Sequence, residues 1–237
     1  MNLDAITDLW DKLTAVQAAP DVAIVAATAI AALAVVFVNT TWRLARNVIT
    51  IAHEGGHALV ALMCGRRLHG IRLHGDTSGV TITQGQRRGL GATLTLLAGY
   101  LFPAIVGLFS AWLVWQGRIV ALLWVTIVLL AAMALFIRNL YGALAIVATG
   151  FGVFAVAWWA APDVQAIITY ATTWFLLIGS VRPVWEVWAQ RSRRGGSDPE
   201  QLAEMTRIPA VMWVLLFAVV NVGSLALGTS MLLPDLW

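Results

Sequence analysis

Charged residues are scarce in this 237-residue sequence, at 11% against 60% hydrophobic residues, and the mean hydropathy is +0.82. A soluble domain carries roughly 25% charged residues. The deficit leaves too little polar surface to cover a water-soluble globule of this size. Apolar residues also run for the roughly 20 positions that a helix needs to cross a bilayer. The sequence therefore predicts a protein that is embedded in the lipid bilayer.

Cysteine is also scarce, because Cys64 is the only one. A single cysteine excludes an intramolecular disulfide and a zinc site built on several thiolates. No Lys/Arg-rich segment precedes the first apolar run, as a cleaved signal peptide would require. The net charge is +3 and the arginines fall between apolar runs. We interpret them as topology signals and expect no nucleic-acid partner.

The fold class that the pattern predicts is an all-α polytopic membrane protein with about seven transmembrane helices. We expect residues 1–19 to be a short amphipathic leader, 20–227 a single transmembrane domain and 228–237 a C-terminal tail. The predicted helices lie at about 20–38, 47–64, 91–114, 119–137, 141–160, 164–181 and 208–227.

The basic residues predict an orientation for these helices. Cytoplasmic loops carry an excess of Lys and Arg. With the N-terminus inside, only Arg43, Arg46 and Arg118 of the 15 basic residues lie outside. We therefore expect a multi-pass protein of the cell (plasma) membrane, with a cytoplasmic N-terminus and the C-terminus outside.

Two connections are longer than a turn, and both are predicted on the cytoplasmic side. Apolar and polar residues alternate on either side of a Gly/Asp/Ser-rich turn, which predicts a short β-hairpin at about 68–83, after the second helix. Residues 182–207 form a polar, basic connection. Within it, Ser197 or Asp198 followed by Pro199 is typical of a helix start.

The second apolar segment contains the motif His53-Glu54-Gly55-Gly56-His57. Histidines four residues apart lie on one face of a helix, where both can bind one zinc ion. Glu54 would be the general base that takes a proton from water. A third protein ligand is expected. An acidic residue near the centre of a transmembrane helix costs about 3 kcal/mol, which favours a function over a polar cluster between helices or a short interfacial helix.

Glycines near these residues predict close helix packing. Gly55 and Gly56 leave a flat surface that admits a neighbouring helix. Gly99 and Pro103 in the next helix would either kink it beside the metal site or serve ordinary small-residue packing.

The sequence resembles the site-2 proteases, which are membrane-embedded zinc metallopeptidases, and in particular a small actinobacterial branch. The resemblance extends from about residue 45 to 215. It implies cleavage of a partner membrane protein at a transmembrane segment, within the lipid bilayer and near its cytoplasmic side. The residues that carry it are 53–59, 65–67, 78–81, 99–103 and 138–142, with Ser197, Asp198, Thr206 and Pro209.

The third zinc ligand is where this sequence departs from the family. Members take it from an aspartate two spans after the catalytic helix, whereas this chain has Asn139 there. Asn139 would be either a weak amide ligand or a turn residue. Asp76 and Asp198 are the other candidates. For His69 and His74 we favour exposure to solvent over metal binding.

Three functions remain open at this point. The first is an enzyme that hydrolyses peptide bonds within or beside the membrane. The second is a catalytically inactive, protease-like protein that binds or retains partner proteins, which the missing aspartate keeps open. The third is a transporter, which we favour least because no internal repeat is present. The sequence gives no indication of the oligomeric state.

Overall fold

The computed structural model describes residues 7, 10, 11, 14–190 and 196–234. Most of the predicted leader therefore lies outside the described residues. Seven helices of the described part match the seven predicted segments, and an eighth follows the helix start predicted at residue 198. The elements are α1 (Val22–Phe37), α2 (Asn39–Met63), β1 (Arg67–Leu73), β2 (Gly79–Gln84), α3 (Leu90–Trp115), α4 (Ile119–Ala134), α5 (Leu140–Trp159), α6 (Pro162–Gln190), α7 (Asp198–Thr206) and α8 (Ala210–Leu232).

Some helix boundaries differ from the predicted ones for local reasons. Residues 182–190 continue α6 instead of joining the polar connection, and α8 extends to Leu232. The short helix α7 begins with a capping box in which Ser197 and Glu200 satisfy each other's backbone N–H groups. A capping box of this kind starts a helix even in a short polar segment.

The number of helices that can each cross a membrane is smaller than predicted. In the described part, α3, α5, α6 and α8 are long and apolar enough, and α1 and α2 pass only as a pair that bends by 101°. The 16 residues of α4 rise only about 24 Å at 1.5 Å per residue. The chain is thus a multi-pass membrane protein with four or five candidate spans by length and composition, and seven spans are not confirmed.

The bend between α1 and α2 occurs at Val38, and the residues on either side of it contact α6. Arg182 of α6 donates to the carbonyl of Val36 and, at 2.6 Å, to the side chain of Asn39. The indole of Trp42 donates to Glu186 at 3.0 Å. The end of α1 and the start of α2 therefore lie beside the last third of α6. Because the turn is 101° and not a reversal, we interpret the pair as one broken crossing.

An ion-pair cluster supports this interpretation. Glu186 pairs with Arg46 at 3.0 Å and with Arg182 at 3.2 Å. The predicted orientation placed Arg46 outside and Arg182 inside. One carboxylate cannot contact residues on opposite faces of a bilayer whose hydrocarbon core is about 30 Å thick. That placement is therefore wrong.

The two ends of the described chain lie at the same end of the bundle. The backbone N–H of Gln17 donates to Gly117 at 2.9 Å, and its side chain donates to Gln165 at 3.0 Å. Residues 231–234 line the same cavity as Val16 and Gln17. The hairpin lies at the opposite end, where α2 stops and α3 starts. The described ends of the chain and the hairpin therefore mark the two opposite ends of the helix bundle.

The predicted hairpin forms, with β1 antiparallel to β2 and Leu73 opposite Gly79. The register shifts between Leu68 and Gly70, which marks a β-bulge. The connection between α4 and α5 adds a short parallel partner to β1. In this pairing the N–H of Ile71 donates to Phe136 at 2.8 Å, and the N–H of Arg138 donates to Ile71 at 2.9 Å. The outer edge of β1 is therefore occupied.

Apolar contacts fix the positions of the hairpin and of α7 on the helix bundle. Ile71 and Leu73 of β1 are buried in a cluster with Ile51 of α2 and Met133 of α4. Leu202 of α7 is fully buried in a second cluster between α6 and α8. Each fully buried Leu or Ile contributes about 1.5–3 kcal/mol relative to exposure. The hairpin and α7 are thus held against the same end of the bundle.

Candidate metal centre

Two elements far apart in sequence bring three ligands together. His53 and His57 lie one turn apart on α2, and Asp198 is the first residue of α7. The two Nε2 atoms are 3.1 Å apart. Asp198 Oδ2 is 3.3 Å from His53 Nε2 and 3.2 Å from His57 Nε2. The three atoms form a nearly equilateral triangle.

The triangle fits tetrahedral zinc. Zinc binds imidazole nitrogen and carboxylate oxygen at about 2.0–2.2 Å, so adjacent ligand atoms in a tetrahedron are about 3.3 Å apart. Asp198 Oδ2 is also buried and accepts no hydrogen bond of good geometry from the described residues. The site therefore favours a bound cation.

The orientation of His57 is fixed by α3. His57 Nδ1 lies 2.6 Å from the carbonyl oxygen of Thr95, so a proton on Nδ1 donates to that carbonyl and the lone pair of Nε2 is left free for a metal. The ring of His53 packs edge-on against Tyr100, with 5.0 Å between centroids. A Cβ on Gly99 would lie 2.6 Å from His53 Nε2. Any side chain at position 99 would thus intrude on the ligands.

Glu54 is buried beside this triangle, with 4% of its surface exposed. Its Oε2 accepts a hydrogen bond from the hydroxyl of Thr81 at 2.6 Å. A Cβ on Gly79 would lie 2.6 Å from its Oε1. A buried carboxylate needs such partners because an unpaired charge is costly to desolvate. The hairpin therefore holds the predicted general base next to the metal ligands.

Asn139, the tentative third ligand, has a different role. Its Oδ1 accepts from the N–H of Leu73 at 3.2 Å, and its Nδ2 donates to the carbonyl of Leu73 at 2.6 Å. The amide extends the pairing of residues 136–138 along the edge of β1. The geometry thus corrects the tentative assignment: the carboxylate of Asp198 meets the histidines, and the amide of Asn139 is committed to the hairpin.

The other sequence candidates remain on the exposed hairpin. Asp76 accepts from the N–H and hydroxyl of Ser78 at 3.0 and 2.6 Å, and these hydrogen bonds lower the pKa of its carboxyl. His69 pairs with Gln84 at 2.8 Å, and His74 lies 3.3 Å from the hydroxyl of Ser78. The metal-binding group found among the described His, Cys, Asp and Glu residues contains none of the three.

The two glycines of the motif differ in their surroundings. A Cβ on Gly56 would lie 2.8 Å from Phe102 Cγ and 3.0 Å from the carbonyl of Ala98. A Cβ on Gly55 would be at an ordinary 3.7 Å from Met133 Sδ. Gly56 therefore permits the close crossing of α2 and α3, as the sequence predicted, and Gly55 does not contribute to it.

Sequence reasoning did not find Thr81 and Thr95 as partners of Glu54 and His57. A threonine hydroxyl and a backbone carbonyl carry no distinctive sequence signal. For Asp198 the sequence did carry a signal, because the helix start at Ser197 places this carboxylate in the first turn of a helix. Its spacing from the histidines carries no information, since only the packing of α7 brings them together.

The chain matches the family model described as Peptidase M50B-like over residues 26–228. No significant match is found among curated proteins or among solved structures. The matched range extends from α1 to the last turns of α8, and it includes every residue of the metal-binding group. The chain therefore belongs to the Peptidase M50B-like family, whose membrane peptidases are of the site-2 protease type.

Proposed function

We propose that the protein is an intramembrane zinc metalloprotease that hydrolyses peptide bonds in or near transmembrane segments of other membrane proteins. The observation that carries this proposal is the triangle of His53, His57 and Asp198 with the buried carboxylate of Glu54 beside it. Such a site is built for hydrolysis, because it combines three protein ligands with an adjacent base.

The chemistry follows from the residues. Zinc held by the three ligands supplies Lewis-acid activation of water and of the scissile carbonyl. Glu54 accepts the proton of the attacking water and passes it to the leaving amine. Thr95 keeps His57 in the tautomer that binds metal. Asp198 adds one negative charge, which compensates part of the charge of the cation.

The hairpin offers a docking edge for the substrate. In an antiparallel pair, successive residues point their N–H and C=O groups alternately toward the partner strand and away from it. Ile71 and Leu73 use theirs on residues 136–139, away from β2. Their partners Thr81 and Gly79 must likewise face away from β1. These groups have no backbone partner in the described part of the chain.

An extended substrate segment can therefore pair with β2. Strand addition to a free sheet edge gives affinity through main-chain hydrogen bonds. The free edge passes Gly79 and Thr81, which both contact Glu54. Pairing there would place the scissile bond, extended, beside the general base.

The orientation that we propose differs from the predicted one only at the start of the chain. The connection before α4 lies near the described start of the chain, and the connection after it pairs with β1. We therefore count α4 as a crossing despite its 16 residues. The α1–α2 pair, α3, α4, α5, α6 and α8 would then make six crossings, with both termini outside and the hairpin end in the cytoplasm. Of the eleven described basic residues, Arg118 lies at the end near the termini. Of the other ten, Arg66, Arg67, Arg72, Arg87 and Arg88 lie in or beside the hairpin, and Arg138 lies in the α4–α5 connection that pairs with β1. Arg207 follows α7, Arg43 and Arg46 lie in the first turns of α2, and Arg182 lies in the last third of α6, where it shares Glu186 with Arg46.

The alternative of an inactive, partner-retaining protein rested on the missing family aspartate. Asp198 supplies a carboxylate at the metal-binding group, so this argument for inactivity no longer holds. The enzyme is the function that the geometry supports best.

Removal of the metal tests the proposal. The assay uses the protein reconstituted in vesicles with a reporter peptide: a Leu/Ala-rich single span with an Asn-Gly pair near one end, labelled with fluorophore and quencher. We expect a chelator to abolish cleavage and stoichiometric zinc to restore it. Cleavage that persists after the zinc has been removed would contradict the proposed function.

A further inference from the structure

Two residues of β2 hold the carboxylate of Glu54. Thr81 Oγ1 donates to Glu54 Oε2 at 2.6 Å and also approaches the Glu54 carbonyl oxygen at 3.2 Å. Gly79 leaves room for the other carboxylate oxygen, since a Cβ there would lie 2.6 Å from Oε1. Both carboxylate oxygens are therefore in contact with the same strand.

The same two residues point their main-chain groups toward the free edge of β2. Thr81 lies opposite Ile71, and Gly79 lies opposite Leu73. Because the main-chain groups of Ile71 and Leu73 turn away from β2, those of Thr81 and Gly79 turn away from β1. Thr81 thus has its hydroxyl on the general base and its N–H and C=O on the edge that would receive a substrate.

We propose that Thr81 is a positioning residue that couples docking of an extended substrate on β2 to the orientation of Glu54. Pairing of a substrate strand fixes the main chain of Thr81. A fixed main chain fixes the hydroxyl, and the hydroxyl fixes Glu54 Oε2 for proton transfer. Other threonines of the described chain that bond only to their own helix, such as Thr126 with the carbonyl of Leu122, have no such link.

This inference rests on the proposed protease function, and its test separates the two. The variants are Thr81→Val, which keeps the shape and removes the hydroxyl, Thr81→Ser, which keeps the hydroxyl, and Thr126→Val as a matched control in α4. Each full-length protein is reconstituted with the reporter peptide, and kcat, KM and zinc content are measured.

We expect Thr81→Val to lower kcat by at least about 10-fold, as the loss of a hydrogen bond to a charged group predicts. KM and zinc content should stay within about twofold of wild type. Thr81→Ser should recover most of kcat, and Thr126→Val should match wild type.

Three outcomes overturn the positioning role while leaving the protease function intact. They are wild-type kcat in Thr81→Val, a rise of KM alone, and an equal loss of kcat and zinc in both Thr81 variants, which would indicate packing. A wild-type protein that binds zinc and leaves the reporter peptide intact would instead contradict the proposed function itself.

Discussion

Asp198 completes the candidate metal centre because α7 carries it to the histidines of α2. Its carboxylate would bring a negative charge next to a bound cation, which an amide cannot do. Leu202, one turn further along α7, is fully buried between α6 and α8 and keeps the ligand in place. The metal centre thus depends on the docking of a short surface helix.

Substitution of Asp198 and Asn139 distinguishes ligand from scaffold. We expect Asp198→Ala to weaken zinc binding by at least about 100-fold, since changes even outside the ligand shell cost 10–100-fold. Asn139→Ala should keep the zinc and lower stability by about 1–3 kcal/mol, because two hydrogen bonds to Leu73 are lost. Chelator competition and denaturant unfolding measure the two effects. Zinc loss in Asn139→Ala with full occupancy in Asp198→Ala would reverse the assignment.

The sequence predicts those parts of the site that lie within one helix. The four-residue spacing of His53 and His57 fixes their relation, because an α-helix brings such residues onto one face. The contacts of Asp198 and Thr81 depend on tertiary packing, which the sequence pattern does not contain. Asn139 was a misleading candidate. It stands where the resemblance to site-2 proteases places the aspartate ligand, but the turn at that position pairs with β1.

At the scale of elements, the hairpin has one closed and one open edge. Residues 136–139 cover β1, and β2 passes Glu54 with its outer main-chain groups free in the described part. An uncovered edge is normally a liability for aggregation. Its retention next to the general base supports a docking role.

A proline at Thr83 tests that role. Thr83 follows Thr81 by two residues, so its N–H also faces the free edge, and proline is tolerated at such edge positions. We expect Thr83→Pro to raise KM for the reporter peptide at least about fivefold, by the loss of about one hydrogen bond, with zinc retained. Thr83→Ala isolates the loss of the Arg66 contact to the Thr83 side chain.

Ile82→Pro serves as the opposite control. The N–H of Ile82 faces β1 in the register observed, so proline there should destabilise the hairpin itself. Equal KM values for Thr83→Pro and Thr83→Ala would remove strand addition from the mechanism.

Period-two alternation was sufficient to predict the hairpin, because side chains alternate between the faces of a strand. It could not predict the partner at residues 136–138, where Phe136-Ile137-Arg138 is too short to show a pattern. The bulge next to His69 likewise has no signal in the alternation.

At the scale of the whole molecule, the bend at Val38 decides the number of crossings. Hydropathy detects apolar length and carries no information on direction, so α1 and α2 were predicted as two spans. In the proposed topology, the 101° bend and the shared contacts of Glu186 make them one broken crossing. The six crossings of that topology would place both termini on the same side.

Cysteine labelling tests this topology. In a Cys64→Ala background, Ala18→Cys and Gln86→Cys place single thiols at exposed positions near opposite ends of the bundle. A membrane-impermeant maleimide should label Ala18→Cys in intact cells and Gln86→Cys only after the cells are opened. Protection of Ala18→Cys in intact cells would favour a cytoplasmic N-terminus and seven spans.

In the proposed mechanism, Glu54 is the general base of a zinc peptidase. Glu54→Gln keeps the size and most hydrogen bonding of the side chain but cannot accept a proton. The decisive measurement is cleavage of the reporter peptide by wild type and Glu54→Gln in parallel, with the zinc content of each sample determined. We expect cleavage to fall by at least about 100-fold, the low end for loss of a general base, with zinc occupancy unchanged. A Glu54→Gln variant that cleaves as fast as wild type would contradict the account.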